Sequence, residues 1–364
     1  MKLTVTQEKL ASALTTVGRV ASAKTSLPIL GNILLRADNN RLLLAATNLE
    51  IAITEYVGGK VEQNGGFTVP ARLMSDFITS LPAGNVEMIL EGTTLNIKSG
   101  GYSSKIHGMQ ADEFPDLPSI ETTIELELDA KLLKRAIQQV ALVASHDDTR
   151  PILTGVYWHS HGGALYMAAT DGYRLAERQL LKQFDGEVAA IIPATALSEA
   201  VRVLTDDITT VKVLLDEAQV RLRLGDIEIT SKLIDGTFVD YRQLIPSDND
   251  TVVEIAKPDF VRITKVASLF ARESGGGVTI DASAESGTVK IHSIASQLGE
   301  NTSEATAVVS NDGKVTLNSR YLIEGLGCID DSPLTFSFSG KLAACILRAK
   351  NDDSYLHLIM PLKS

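Results

Sequence analysis

The sequence predicts an α+β protein made of three tandem copies of one domain, each with two helices packed on antiparallel sheet. A repeat at a fixed offset carries this expectation. AATNLEIAI from Ala45 returns as AATDGYRLA from Ala168, 123 positions on, and at the same offset LPILGN from Leu27 aligns with RPILTG from Arg150 and VPA from Val69 with IPA from Ile192. Such a period is too long for a solenoid repeat and close to the size of a whole domain. It fits three times into 364 residues, with boundaries expected at 1–121, 122–247 and 248–364. The third copy is fainter: GGVTIDASAESGTVKIHS from Gly276 takes the place of the first hairpin, and VTLNSRYLIEGL from Val315 that of the VPA segment.

Taken in order, residues 7–20 place Leu10, Ala13, Leu14 and Val17 at helical spacing. Residues 27–37 and 41–47 are Leu/Ile-rich runs joined by Asp38, Asn39 and Asn40, a hairpin signature. A short strand at 67–69 leads into a helix that Pro70 begins and Pro82-Ala-Gly stops, and strands with Gly-containing turns fill 86–107. The second copy repeats this. Leu132, Leu133, Ala136, Ile137 and Val140 form a helical stripe, strands follow at 152–159, 165–169 and 174–181, and a helix spans 193–204. VKVLLD, QVRLRLG and IEITSKLI are strands. The third copy opens on a helix at 257–271, with Phe260, Ile263, Val266, Ala267 and Phe270 near one face.

With 44% hydrophobic and 22% charged residues, the composition is that of a soluble globular protein. No apolar run reaches the roughly 18 residues of a membrane span, and MKLTVTQEKL is too polar for a secretory leader, so a cytoplasmic protein is expected. Cys328 and Cys345 lack metal-ligand spacing and read as small buried residues.

A net charge of −11 argues at face value against a nucleic-acid binder. The charge is not evenly placed, however. In the six helical segments eleven basic side chains, among them Arg72, Lys131, Arg202, Lys265 and Arg320, stand against six acidic ones, leaving the strands and loops strongly acidic. If the helices shared one surface it would attract phosphate, but without aromatic interleaving any contact would be to backbone and blind to sequence.

Residues suited to catalysis are sparse. Gly275, Gly276 and Gly277 follow a helix and precede a strand, the wrong order for a phosphate-cradling loop. His146, Asp147 and Asp148 read as a polar turn, since sequence neighbours point apart. His159 and His161 would share a strand face but have no third metal ligand nearby, which suggests an exposed hairpin end. The acidic pairs Asp206-Asp207, Asp330-Asp331 and Asp352-Asp353 read as solvated turns.

LPILGN, ATNLEI, TVPAR, GMQADEFPDLP, TRPILTGV, AATDGYRLA, IIPATALSE, LIDGTFVDYRQLIP and the terminal IMPL together resemble the bacterial replicative sliding clamps, the beta subunits of DNA polymerase III. The resemblance covers essentially the whole chain. It implies a homodimer closed head to tail into a six-domain ring, with helices lining the hole and continuous sheet outside. Such a ring encircles double-stranded DNA without sequence preference and tethers the DNA polymerase III alpha subunit. A clamp loader and other polymerases and repair proteins carrying clamp-binding motifs are further implied partners. Catalytic residues, cofactor, metal and membrane contact are not implied.

Carried over by position, the resemblance implies a pocket for a hydrophobic partner motif at Leu153, Thr170, Gly172, Tyr173, Arg174, Leu175, Leu244, Leu358, Met360, Pro361 and Leu362. Val239, Gln243 and Ala344 replace the Pro, basic residue and Ser common in the family, which bears on motif preference. Lys24, Arg72 and Arg202 are implied to face DNA, and Ile106, Leu269 and Phe270 to form the subunit interface.

Overall fold

The computed structural model describes residues 1–21, 27–271, 275–296, 299–330 and 333–362. Six helices lie among them: α1 (Gln7–Val17), α2 (Ala71–Ser80), α3 (Ala130–Val140), α4 (Ala194–Val203), α5 (Lys257–Phe270) and α6 (Ser319–Gly327). Each follows a strand and buries one stripe; in α1 this is Leu10, Ala13, Leu14 and Val17, the spacing seen in the sequence. The helix ends at Val17, short of residue 20, with Gly18 as its C-cap still donating its N–H to the Leu14 carbonyl. The six helices carry ten basic and five acidic residues, so the basic excess expected of them holds.

The chain folds into two compact units, 1–134 with 195–233, and 135–194 with 234–364. The first unit holds two antiparallel sheets. One has five strands, in the order Lys60–Gln63, Lys2–Thr6, Asn85–Glu91, Thr94–Ser99 and Tyr102–His107. The other has nine, running from Met109–Gln110 through Gly65–Pro70, Asn32–Asp38, Arg41–Thr47 and Ile51–Gly58, then Ile227–Lys232, Gln219–Leu224, Thr210–Leu215 and Ile124–Asp129. Strands of the first and second sequence copies therefore share one sheet, joined where Ile53 faces Ile229.

The second unit holds a twelve-stranded antiparallel sheet. Its order is Ala189–Pro193, Gly155–His161, Ala164–Thr170, Arg174–Leu181, Asp352–Ile359, Cys345–Ala349, Leu334–Phe338, Thr251–Ile255, Gly299–Val309, Thr288–Ala295, Gly277–Ser283 and Gly313–Asn318. Here the second and third copies join, with Leu175 opposite Leu358.

The two seams are equivalent. Ile51–Gly58 and Arg174–Leu181 lie 123 positions apart, and each pairs with the strand that closes the following copy.

Two expected strands begin differently. Residues 28–31 and 151–154 form one-turn 3₁₀ helices, Pro28–Gly31 and Pro151–Thr154, before the chain extends at Asn32 and Gly155. Proline, with no N–H to place and φ already near −65°, favours the first position of a turn.

Candidate functional site

Thr170 to Arg174 form the turn at the centre of the repeated motif, now seen between two long strands of the second unit. The Thr170 hydroxyl donates to the Arg174 carbonyl at 2.6 Å and accepts from the Gly172 N–H at 3.1 Å. Asp171 Oδ1 accepts from the Tyr173 and Arg174 amides at 2.9 and 3.0 Å. Gly172 sits at φ +91°, a conformation costly for a side chain. The turn thereby directs Tyr173 outward, 61% exposed, while Leu175 goes inward at 1%.

Leu175 and Leu358 belong to one apolar cluster with Ala168, Ile191, Phe238, Tyr241, Ala344 and Leu356, against which Ile152, Tyr157, Ile234 and Ile245 also pack. Tyr173, Val239, Leu244 and Met360 of the same unit stay exposed, and the Met360 N–H bonds the Tyr173 carbonyl at 2.8 Å. Buried leucines continuous with exposed large apolar side chains suit an apolar ligand segment.

Of the residues expected in this pocket, the structure brings Leu175 and Leu358 into the cluster and leaves Leu153 half-buried, its N–H on the Arg150 carbonyl. Thr170 and Gly172 shape the turn. Pro361 is half-buried, and Leu362 leads away, bonding the Thr316 carbonyl and lining a separate cavity of about 170 Å³ beside Lys314 and Lys341. The sequence reading missed Phe238, Tyr241, Ile191 and Leu356; the aromatic pair stands inside the segment LIDGTFVDYRQLIP, which was the available signal.

Arg174 does not line the apolar floor. It is 6% exposed and reaches Asp171 Oδ2 through Nε at 3.0 Å, the Leu142 carbonyl through Nη2 at 3.2 Å, Glu324 of α6 through Nη1, and the Tyr321 ring at 4.5 Å.

Behind the cluster lies a buried polar network. His159 Nε2 stands 2.7 Å from the Tyr241 hydroxyl, which donates to Glu177, while Arg242 Nη2 stands 2.9 Å from the same carboxylate. With the single phenol proton on Glu177, His159 is the donor to the phenol oxygen. Burial, with the Arg242 charge adding, pushes His159 down to about 4. This corrects the expectation of an exposed hairpin end: His159 is 6% exposed because its ring stacks between Tyr157 and Tyr166, and only His161 is exposed.

The other expected positions fall as follows. Asp147 accepts from the amide and hydroxyl of Thr149 and pairs with Arg150, the polar turn expected. Arg72 projects from α2 with its side chain 96% exposed, beside Asp76. Arg202 bonds Glu199 on α4, and Lys24 lies outside the described residues. Leu269 is 56% exposed on α5 and Phe270 half-buried. Ile106 is buried at 2%, on the face of its edge strand opposite exposed Lys105 and His107. Both cysteines are free and buried, Cys345 pushed up to about 12 by burial. Among the described residues no group of three His, Cys, Asp or Glu side chains is placed to hold a metal, and no helix is long and apolar enough to cross a membrane.

Three family models match in tandem: the N-terminal domain of the DNA polymerase III beta subunit over residues 1–118, its central domain over 127–240 and its C-terminal domain over 242–363. The chain belongs to the DNA polymerase III beta subunit family. It is 30% identical over its full length to the beta sliding clamp of Staphylococcus epidermidis strain RP62A, with all of both chains covered. The sliding clamp structure from Bacillus subtilis matches at 28% identity with a TM-score of 0.96, covering 100% of this chain and 99% of that one. A clamp from Bartonella birtlesii solved bound to griselimycin matches at 29% and 0.94, with both chains fully covered. The three tandem domains are thus clamp domains, and the family is one of processivity factors rather than enzymes.

Proposed function

We propose that this member of the sliding clamp family closes with a second copy into a ring around duplex DNA, and that the apolar cluster around Leu175 and Leu358 receives a hydrophobic motif of its partners. The seams carry the first part. Inside the chain, Ile51–Gly58 pairs with Ile227–Lys232 and Arg174–Leu181 with Asp352–Ile359. The third members of the same two series are Gly299–Val309 and Tyr102–His107. Residues 299–306 and the whole of Tyr102–His107 are hydrogen-bonded on one side only among the described residues. Two open, complementary edges on one chain make a heterologous contact that ends when a ring closes, pairing these two edges with each other.

Ile106 fits this reading through its strand, not its side chain. Ile229, 123 positions later at the internal seam, is 1% exposed in the same way. Exposed Leu269, with Phe270 beside it, supplies apolar surface to such a contact. Domain limits at 1–121, 122–247 and 248–364 place each seam between successive copies.

A closed ring holds DNA by topology, so its phosphate contacts can stay weak and allow sliding. Arg72 and Arg202, with Lys24, are the proposed contacts. A polymerase held in the pocket stays at high effective concentration at the primer end, which is how a non-catalytic protein confers processivity. The DNA polymerase III alpha subunit, a clamp loader and other motif-bearing polymerases and repair proteins are the proposed partners, and the cytoplasm the proposed location.

The test is release on linearisation. Protein loaded on nicked circular DNA by a clamp loader with ATP should leave when the circle is cut once; protein that stays bound, or that never required a circle, would refute topological binding.

A further inference from the structure

Glu324 of α6 is shared by two arginines that differ in freedom. Its Oε2 accepts from Arg174 Nη1 and its Oε1 from Arg320 Nε at 2.8 Å. Arg174 is immobile: its side chain is 7% exposed and fixed by Asp171, the Leu142 carbonyl and the Tyr321 ring. Arg320, at 76% side-chain exposure, is free to turn. The helix that carries Glu324 is itself held in place. Asn318 caps α6 through the Arg320 and Tyr321 amides, and Gly325 packs so closely on His357 that a Cβ there would lie 2.8 Å from the ring. Beside Arg320 opens a cavity of about 430 Å³, also lined by Arg150, His146, Asp147 and Tyr173. All three arginines of this cavity are paired with a carboxylate, Arg150 with Asp147, Arg174 with Asp171 and Glu324, and Arg320 with Glu324; Arg320 is the most exposed, its side chain at 76% against 49% and 7%, and so the one an anion reaches first.

The geometry points to a relay: a duplex phosphate that enters this cavity and takes Arg320 leaves Glu324 to Arg174 alone, which stiffens the Asp171–Arg174 turn and raises the affinity of the apolar pocket for its peptide. This rests on the proposed reading that the pocket takes a partner motif and that the helices face DNA. The physical step is local. Glu324 loses one of two competing cations, so its bond to the buried guanidinium strengthens, in a setting less screened than the surface. The turn that bond holds carries Tyr173 at the pocket rim and leads into Leu175. A rim already ordered loses less entropy when peptide binds. By linkage, peptide must tighten the hold on duplex by the same factor.

The experiment measures binding of a fluorescein-labelled peptide carrying the clamp-binding motif of the DNA polymerase III alpha subunit, by anisotropy, to the protein free or loaded on nicked circular duplex by a clamp loader with ATP and then separated from the loader. Duplex should tighten peptide binding to the unaltered protein by about fivefold or more. Arg320→Gln should bind peptide as tightly without duplex as the unaltered protein does with it, and gain nothing further. Glu324→Gln should bind peptide more weakly and be insensitive to duplex. Thermal melting of both variants checks the fold, and since Arg320 is exposed its variant keeps the test decisive even if Glu324→Gln is unstable. Peptide and duplex that each bind without affecting one another overturn the relay alone, as does a duplex effect that survives Arg320→Gln. Failure of the unaltered protein to bind the peptide at all overturns the pocket itself, and the relay with it.

Discussion

The Tyr241 hydroxyl donates to the Glu177 carboxylate in a site where both residues are buried, at 2% and 8% exposure. The bond ties the segment carrying Phe238, Val239 and Leu244 to the central strands of the second unit, so a hidden polar contact positions exposed apolar residues. Burial, with the Glu177 charge adding, holds the phenol far above its ordinary range, so it stays a donor at any working pH. Tyr241→Phe leaves Glu177 with one partner fewer and His159 Nε2 with none. The expected cost is about 1–3 kcal/mol, read as a lower urea midpoint, together with weaker peptide binding. An unchanged midpoint would mean that water replaces the hydroxyl.

Leu244 separates binding from stability. It is 52% exposed, so Leu244→Ala should change stability by no more than about 0.5 kcal/mol while weakening the motif peptide by about tenfold, the scale of an interface anchor. Leu175→Ala, at a fully enclosed position, should destabilise by about 2–5 kcal/mol in addition to any effect on peptide. Equal effects of the two on urea midpoint would show that Leu244 is part of the core after all.

The sequence revealed what repeats and what alternates. The 123-residue offset marked the repeated motif that opens the second seam, though not the strand it pairs with, and helical spacing marked the buried face of α1 residue by residue. It did not reveal His159, because burial of a lone histidine depends on a partner 82 residues away, and no local pattern encodes Tyr241 as that partner. The side of its strand that Ile106 takes, buried at 2%, is likewise set by register, where one residue's shift exchanges inside for outside.

Ring closure makes Leu269 informative. At 56% exposure on α5 its replacement should not disturb the fold, so Leu269→Asp should leave the melting temperature of the isolated chain unchanged. If α5 forms the subunit contact, the same change should move the protein from dimer to monomer in sedimentation and abolish retention on circular DNA. A Leu269→Asp protein that still sediments as a dimer would place the contact elsewhere.

Glu55 makes the first seam sensitive to pH, and the second seam explains why. The equivalent position 123 residues on is Arg178, whose guanidinium bonds Asp352 at 2.7 Å across the junction of the second and third copies. At the first junction the acid Glu55 faces Ile227, next to Asp226, and its Oε2 has no hydrogen-bond partner. Burial, with the Asp226 charge adding and a Thr16 hydrogen bond opposing, raises its carboxyl from 4.5 to about 7. The folded state thus holds the proton more tightly than the unfolded chain does. Glu55 costs nothing below about pH 4.5, and its cost grows as the pH rises towards 7 and levels off above it. Solvent access at the seam reduces the full linkage value to about 1–2 kcal/mol. Glu55→Gln should therefore match the unaltered protein in urea midpoint near pH 4.5 and exceed it near pH 8. A constant difference between the two proteins across that range would mean that Glu55 is already ionised in the fold and that the first seam tolerates two like charges.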